Sequence, residues 1–140
     1  MKRTALAHWE GGIGDGKGEI TTQSLTLNKT RYSFKSRFEN GVGTNPEELV
    51  GAAHAGCFTM AVSSALTKAG FLPGQLTTKA TVELDVKDAK ISGINLELTA
   101  TTIVGLSPDK FKEIVTLAKE NCPISKALQA VPISLNIIYQ

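Results

Sequence analysis

Only two cysteines, Cys57 and Cys122, occur in the 140 residues. An excess of charge of one sign is also lacking. The formal net charge is +2, and no cluster of Lys and Arg is interleaved with aromatics, which argues against a nucleic-acid partner. The N-terminal MKRTALAHWEGG carries two basic residues but no apolar run behind them, so no secretory leader is expected. A cytoplasmic location follows as an expectation. In that compartment a permanent staple is not expected of two cysteines, which would instead be reduced, catalytic, metal-bound or idle. Neither Cys-x-x-Cys nor His-x-x-x-His spacing is present. A metal site would have to be assembled from His54, Cys57, Cys122 and His8, a weak signal. Internal repeats, low-complexity segments and linkers are also missing, and the expected organisation is one domain over 1–140. The hydrophobic share of 41% and charged share of 20% fit an ordinary globular chain.

The chain is organised around Asn45 to Gly70. Asn45 suits an N-cap, Pro46 the first helical position, and Glu48 stands where a capping box places its acid. Glu47 and Glu48 both lie at the positive end of the helix dipole. From Leu49 to Leu66 the residues are small or apolar, and the polar positions Glu47, His54, Thr59, Ser63 and Ser64 gather on no single face. A helix of that kind is expected to be buried on nearly every side. The stretch is about as long as a membrane span. Its Gly and Ala content, with His54, Ser63 and Ser64, makes a soluble core helix the better reading.

Before it, strands are expected over Thr4–Glu10, Glu19–Leu27 and Arg31–Phe38, the last with Tyr32, Phe34 and Phe38 on one face. The segment GGIGDGKGE nearly fits a phosphate-binding loop. However, Gly18 stands where Ser or Thr should be, and strand-like residues follow, so it reads as a hairpin turn. After it, Leu76, Ala80, Val82, Leu84 and Val86 alternate as an inward face. A second strand through Ile94, Leu96, Leu98 and Ala100 follows a turn at Asp88-Ala89-Lys90. Ser107-Pro108 opens an amphipathic helix that stops at Asn121-Cys122-Pro123, because a residue before proline is pushed out of the α region. A short helix over Pro123–Ala130 and a final strand with Ile133, Leu135, Ile137 and Tyr139 on one face complete the chain. The fold class expected is α+β, with about six largely antiparallel strands and one buried helix. That helix needs more cover than one sheet provides, so a homodimer is expected.

Cys57 sits in the middle of the central helix. A thiolate attacks peroxide oxygen and a thiol barely does, while burial in an apolar helix favours the thiol. On composition alone Cys57 reads first as an inert core cysteine. Activity requires a cation beside the sulfur. Arg37 is the best candidate, since guanidinium keeps its charge when buried, although it also reads as a solvated arginine on a polar strand face. Glu47 is placed to hold Arg37 by a bidentate contact, or simply to favour the helix start. Ten residues separate Glu47 from Cys57, about 15 Å of helix, so Glu47 cannot touch the sulfur of its own helix. If the central helices of two subunits pack antiparallel, Arg37 and Glu47 of one approach Cys57 of the other. Cys122, at a helix boundary, suits a mobile second thiol or has no role. His54, three residues before Cys57, allows a Cys–His nucleophile pair, and also a buried histidine bonded to a backbone carbonyl.

RFENGVGTNPEELVGAAHAGCFTMA, together with NCPIS and the AHWEGG near the N-terminus, resembles the osmotically inducible protein C / organic hydroperoxide resistance (OsmC/Ohr) family over nearly the whole chain. The resemblance implies an intertwined homodimer that reduces organic hydroperoxides without metal or prosthetic group. By position, it implies Cys57 as the peroxidatic cysteine, Cys122 as the resolving one, Arg37 as the activating cation and Glu47 as its holder. The Ohr branch takes its arginine from the N-terminal region. This chain has none between Arg3 and Arg31, and HWEGG and PEELVGAAHAGCF look like the OsmC branch. The resemblance also implies a dithiol reductant, dihydrolipoyl or similar. Two other classes stay open at this point. One is a non-enzymatic small-ligand or stress-binding module with structural cysteines. The other is a Cys57–His54 hydrolase that needs no reductant.

Overall fold

A computed structural model describes Met1–Gln140, and the chain divides into two compact units, Met1–Leu49 and Val50–Gln140. In the first, strands β1 (Ala5–Glu10), β2 (Lys17–Thr22) and β3 (Thr30–Tyr32) form an antiparallel sheet in that order. The glycine-rich segment is the β1–β2 hairpin connection, closing on the Glu10↔Lys17 pair. Gly16 is required there by close approach, since a Cβ on it would sit 2.7 Å from the Trp9 ring.

The expected strand over Arg31–Phe38 is corrected. It ends at Tyr32, and Phe34–Phe38 forms a five-residue helix, α1. Ser33 caps that helix in extended conformation. The Ser36 N–H donates to Ser33 Oγ at 3.1 Å, and the Ser33 N–H donates to Ser36 Oγ at 2.8 Å. Phe34 and Phe38 then pack as an i, i+4 pair, tilted at 42° with ring centroids 4.7 Å apart. Five residues are too few to display a helical period, so alternating side chains imitate a strand. The second strand also ends at Thr22, short of the expected Leu27.

Helix α2 runs Pro46–Lys68 and starts as its sequence requires: the Glu48 N–H donates to Asn45 Oδ1 at 2.8 Å. In the second unit, β4 (Leu76–Asp85) pairs antiparallel with β5 (Lys90–Ala100), and β6 (Ile133–Tyr139) pairs parallel with β5. The parallel pairing follows from the crossover through α3 (Pro108–Asn121) and α4 (Pro123–Ala127), which returns the chain in the direction of β5. Six strands in two sheets, mostly antiparallel, make the architecture α+β. The core joins Phe58, Val62 and Leu66 of α2, Ile94, Leu96 and Leu98 of β5, and Phe111 and Val115 of α3. Val86, expected to face inward, lies past the end of β4 and is exposed.

The expectation that α2 is buried on nearly every side is met along one stripe by the chain's own residues. Within the chain it buries one stripe, Gly51, His54, Phe58, Val62 and Leu66, while Ala52, Ala53, Gly56 and Met60 are exposed. One chain covers one side of a helix that is apolar on most sides.

Candidate active site

Two pairs of side chains among the sequence candidates are brought together, one in each unit. In the first unit, Arg37 ends α1 rather than a strand and reaches Glu47 in the first turn of α2. Arg37 Nε donates to Glu47 Oε1 at 3.1 Å, and Nη2 donates to the same oxygen at 2.8 Å. The carboxylate is the better buried partner, with 13% of its side chain exposed against 40% for Arg37. Asn45 ties this corner together, capping α2 with its Oδ1 while its Nδ2 donates to the Ser36 carbonyl at 3.0 Å. The guanidinium is therefore aimed by a carboxylate while part of it stays open.

In the second unit, the sulfurs of Cys57 and Cys122 lie 3.2 Å apart, both free thiols. Cys57 is half-buried on α2 and Cys122 fully buried. Cys122 is the C-cap of α3 and the N-cap of α4 at once, held in extended backbone by the proline that follows. Its N–H donates to the Lys119 carbonyl at 3.3 Å.

The thiols differ in acidity. Burial pushes Cys57 above its ordinary value, against a downward pull from the Ile124 N–H, and contact with Cys122 adds to the rise. Burial acts upward on Cys122 too. There the backbone N–H of Ser125, the neighbouring Cys57, the Ser125 hydroxyl and the Ile124 N–H together outweigh it and hold the thiol low. The two sulfurs titrate as one pair, and within this unit its negative charge is drawn toward Cys122. No cation is among the groups acting on Cys57.

His54 is fully buried, and its Nε2 lies 2.8 Å from Ser125 Oγ. Its Nδ1 has no partner. The expected backbone carbonyl is thus replaced by a hydroxyl, and His54 makes no hydrogen bond to Cys57, so the Cys–His hydrolase pair is not formed. His8 is exposed on β1, in the other unit. Ser125 is the residue that sequence reading missed. Its only signal was its place, three residues past Cys122 in the first turn of a proline-started helix.

Burial, then the charge of Lys119, lower the His54 pKa below its ordinary 6.5. The unfolded chain therefore takes up a proton that the folded chain refuses. Stability present above pH 6.5 is lost as pH falls below it, by at most about 1.4 kcal/mol per pH unit. Urea midpoints between pH 7.5 and 5 are expected to fall in the native chain and to fall less in His54→Gln. Equal acid sensitivity in both would refute the assignment.

The OsmC-like protein family matches residues 38–136. The chain belongs to the OsmC-like family. It is 47% identical over 131 residues to peroxiredoxin OsmC of Escherichia coli K12, covering 93% of this chain and 92% of that one. It is 28% identical to an organic hydroperoxide resistance protein-like chain of Staphylococcus aureus MSSA476, covering 89% of each. The solved structure of an organic hydroperoxide resistance protein OsmC from Legionella pneumophila superposes with a TM-score of 0.71 at 26% identity, covering 96% of each chain. The fold of this OsmC-like protein is thus that of its family, and both cysteines, Arg37 and Glu47 lie in or at the edge of the matched span.

Proposed function

We propose that this OsmC-like protein is a cytoplasmic thiol peroxidase that reduces organic hydroperoxides to alcohols. The reading rests above all on two free thiols held 3.2 Å apart, one on α2 and one at the α3–α4 junction. The names of its relatives support it.

The Cys57 thiolate attacks the distal oxygen of ROOH. The O–O bond breaks, the sulfur is oxidised to a sulfenic acid, and the alkoxide leaves as alcohol after taking a proton. Cys122 then displaces hydroxide from the Cys57 sulfur, giving the disulfide and water. The sulfurs need to close from 3.2 Å to a bonded distance of about 2.05 Å. An external dithiol, a lipoyl group or similar, resets the pair by exchange.

Arg37, aimed by Glu47, supplies the positive charge that favours the Cys57 thiolate of a partner subunit. The exposed small-residue face of α2 with Met60 suits burial against a second copy, which makes the working form a homodimer.

Mass spectrometry after one equivalent of cumene hydroperoxide tests the reading. The expected product has lost two hydrogens, and digestion maps the loss to a Cys57–Cys122 bond. Cys122→Ser is expected to gain one oxygen on Cys57 per site and to stop there, with a trappable sulfenic acid. Recovery of unmodified thiols and intact hydroperoxide would exclude peroxidase chemistry.

A further inference from the structure

One buried hydrogen-bonded pair stands outside the proposed cycle. His54 and Ser125 are 71 positions apart in sequence, yet Nε2 and Oγ meet at 2.8 Å with both side chains buried. His54 stands three residues before Cys57 on α2. Ser125 stands three residues after Cys122 in α4. One helical turn from each sulfur, the same two elements are tied by a hydrogen bond.

We propose that His54 and Ser125 form a clamp between α2 and α4 that positions the Cys122 sulfur for attack on oxidised Cys57. It rests on the peroxidase reading and assigns these residues to its second step. They are positioning residues, touching neither the hydroperoxide nor the reacting oxygen.

Three observations support the clamp. The first is reach: the sulfurs stand 3.2 Å apart where the clamp holds the two elements together. The second is the orphaned Nδ1. A buried N–H without an acceptor costs more than a bare lone pair, so the proton belongs on Nε2, which donates to Ser125 Oγ. The serine proton is then free to turn toward Cys122, three residues back. The third is acidity: the Ser125 N–H and hydroxyl are among the groups that hold the Cys122 thiol low. The titratable groups around the pair are Cys57 of α2, Cys122 at the α3–α4 junction and Lys119 of α3, whose charge adds to burial in lowering the His54 pKa.

In the second step the S–O bond of Cys57 breaks as the S–S bond forms. The electron pair comes from Cys122, and the proton lost by its thiol leaves with the hydroxide as water. No outside oxidant or reductant enters. The clamp acts by holding Cys122 close, and its thiol easier to ionise, when the sulfenic acid appears.

The test uses the full chain and separates the two steps. Wild type, Ser125→Ala, Ser125→Thr and His54→Gln are mixed with cumene hydroperoxide, quenched over time with a sulfenic-acid trap, and weighed by mass spectrometry. In Ser125→Ala the disulfide-forming step is expected to slow about tenfold relative to oxidation of Cys57, equivalent to about 1.4 kcal/mol in the barrier. Trapped sulfenic acid accumulates, and the pH midpoint of the disulfide step moves up. Ser125→Thr, which keeps the hydroxyl, restores the rate, and His54→Gln falls between. Disulfide formation within about twofold of wild type in both Ser125→Ala and His54→Gln overturns the clamp. So does a loss in Ser125→Ala that Ser125→Thr equally shows. Failure of the underlying reading looks different: wild type itself then shows no oxidised Cys57.

Discussion

Cys57→Ser is expected to reduce hydroperoxide turnover to the uncatalysed background, a loss of at least about a thousandfold. The reason is chemical. A serine hydroxyl is hardly ionised near neutral pH, and its oxygen cannot be carried to a sulfenic-acid equivalent. Neither the first bond-breaking step nor the disulfide that follows has a substitute atom. The substitution is nearly isosteric at a half-buried position beside the core, so the fold is expected to persist. Coupled consumption of cumene hydroperoxide with dithiothreitol as reductant measures the effect, with circular dichroism confirming the fold. Retention of a tenth of wild-type turnover would mean that Cys57 is not the nucleophile.

Arg37→Ala is expected to slow oxidation of Cys57 by about 10- to 100-fold at pH 7 and to move its pH profile upward. Burial already pushes the Cys57 thiol up, and the neighbouring Cys122 pulls the shared charge away from it. The Ile124 N–H does not offset that rise, and a cation close by lowers a thiol pKa by about 1–3. Removing it cuts the thiolate fraction about tenfold per pH unit lost. A more basic thiolate is more nucleophilic, with a Brønsted slope of about 0.4–0.5, and recovers part of the loss. The sign is fixed: rate rises with pH as the thiol ionises, so the variant needs higher pH for the same rate.

Stability should hardly change. The Arg37 side chain is 40% exposed, and ion pairs of that kind contribute about 0–1 kcal/mol. Arg37→Lys should recover little, because an ammonium cannot make the paired contacts that Nε and Nη2 make to Glu47. Rapid-mixing oxidation rates from pH 5 to 9 decide the matter. An Arg37→Ala profile superimposable on wild type would remove Arg37 from the mechanism.

Much of this was legible before any coordinates. Asn45-Pro46 and Ser107-Pro108 mark helix starts because capping and the fixed proline φ are local effects. Pro123 ends α3 at Cys122 for the same kind of reason. The alternation along β4 and β5 reads directly as one buried and one exposed face. The segment Arg31–Phe38 was not legible, because a reciprocal serine cap decides between two conformations that its side-chain pattern cannot distinguish.

The amino-acid sequence alone determined where α2 and α3 begin and where α3 ends, which residues were available for thiol chemistry, and the family. These rest on short-range sterics, caps and periodicity. Tertiary structure alone decided that the two sulfurs meet at 3.2 Å, that Arg37 and Glu47 pair, and that His54 belongs to Ser125 rather than to Cys57. Each is a contact between residues 10 to 71 positions apart, made only when packing brings separate elements together, and no local rule specifies it.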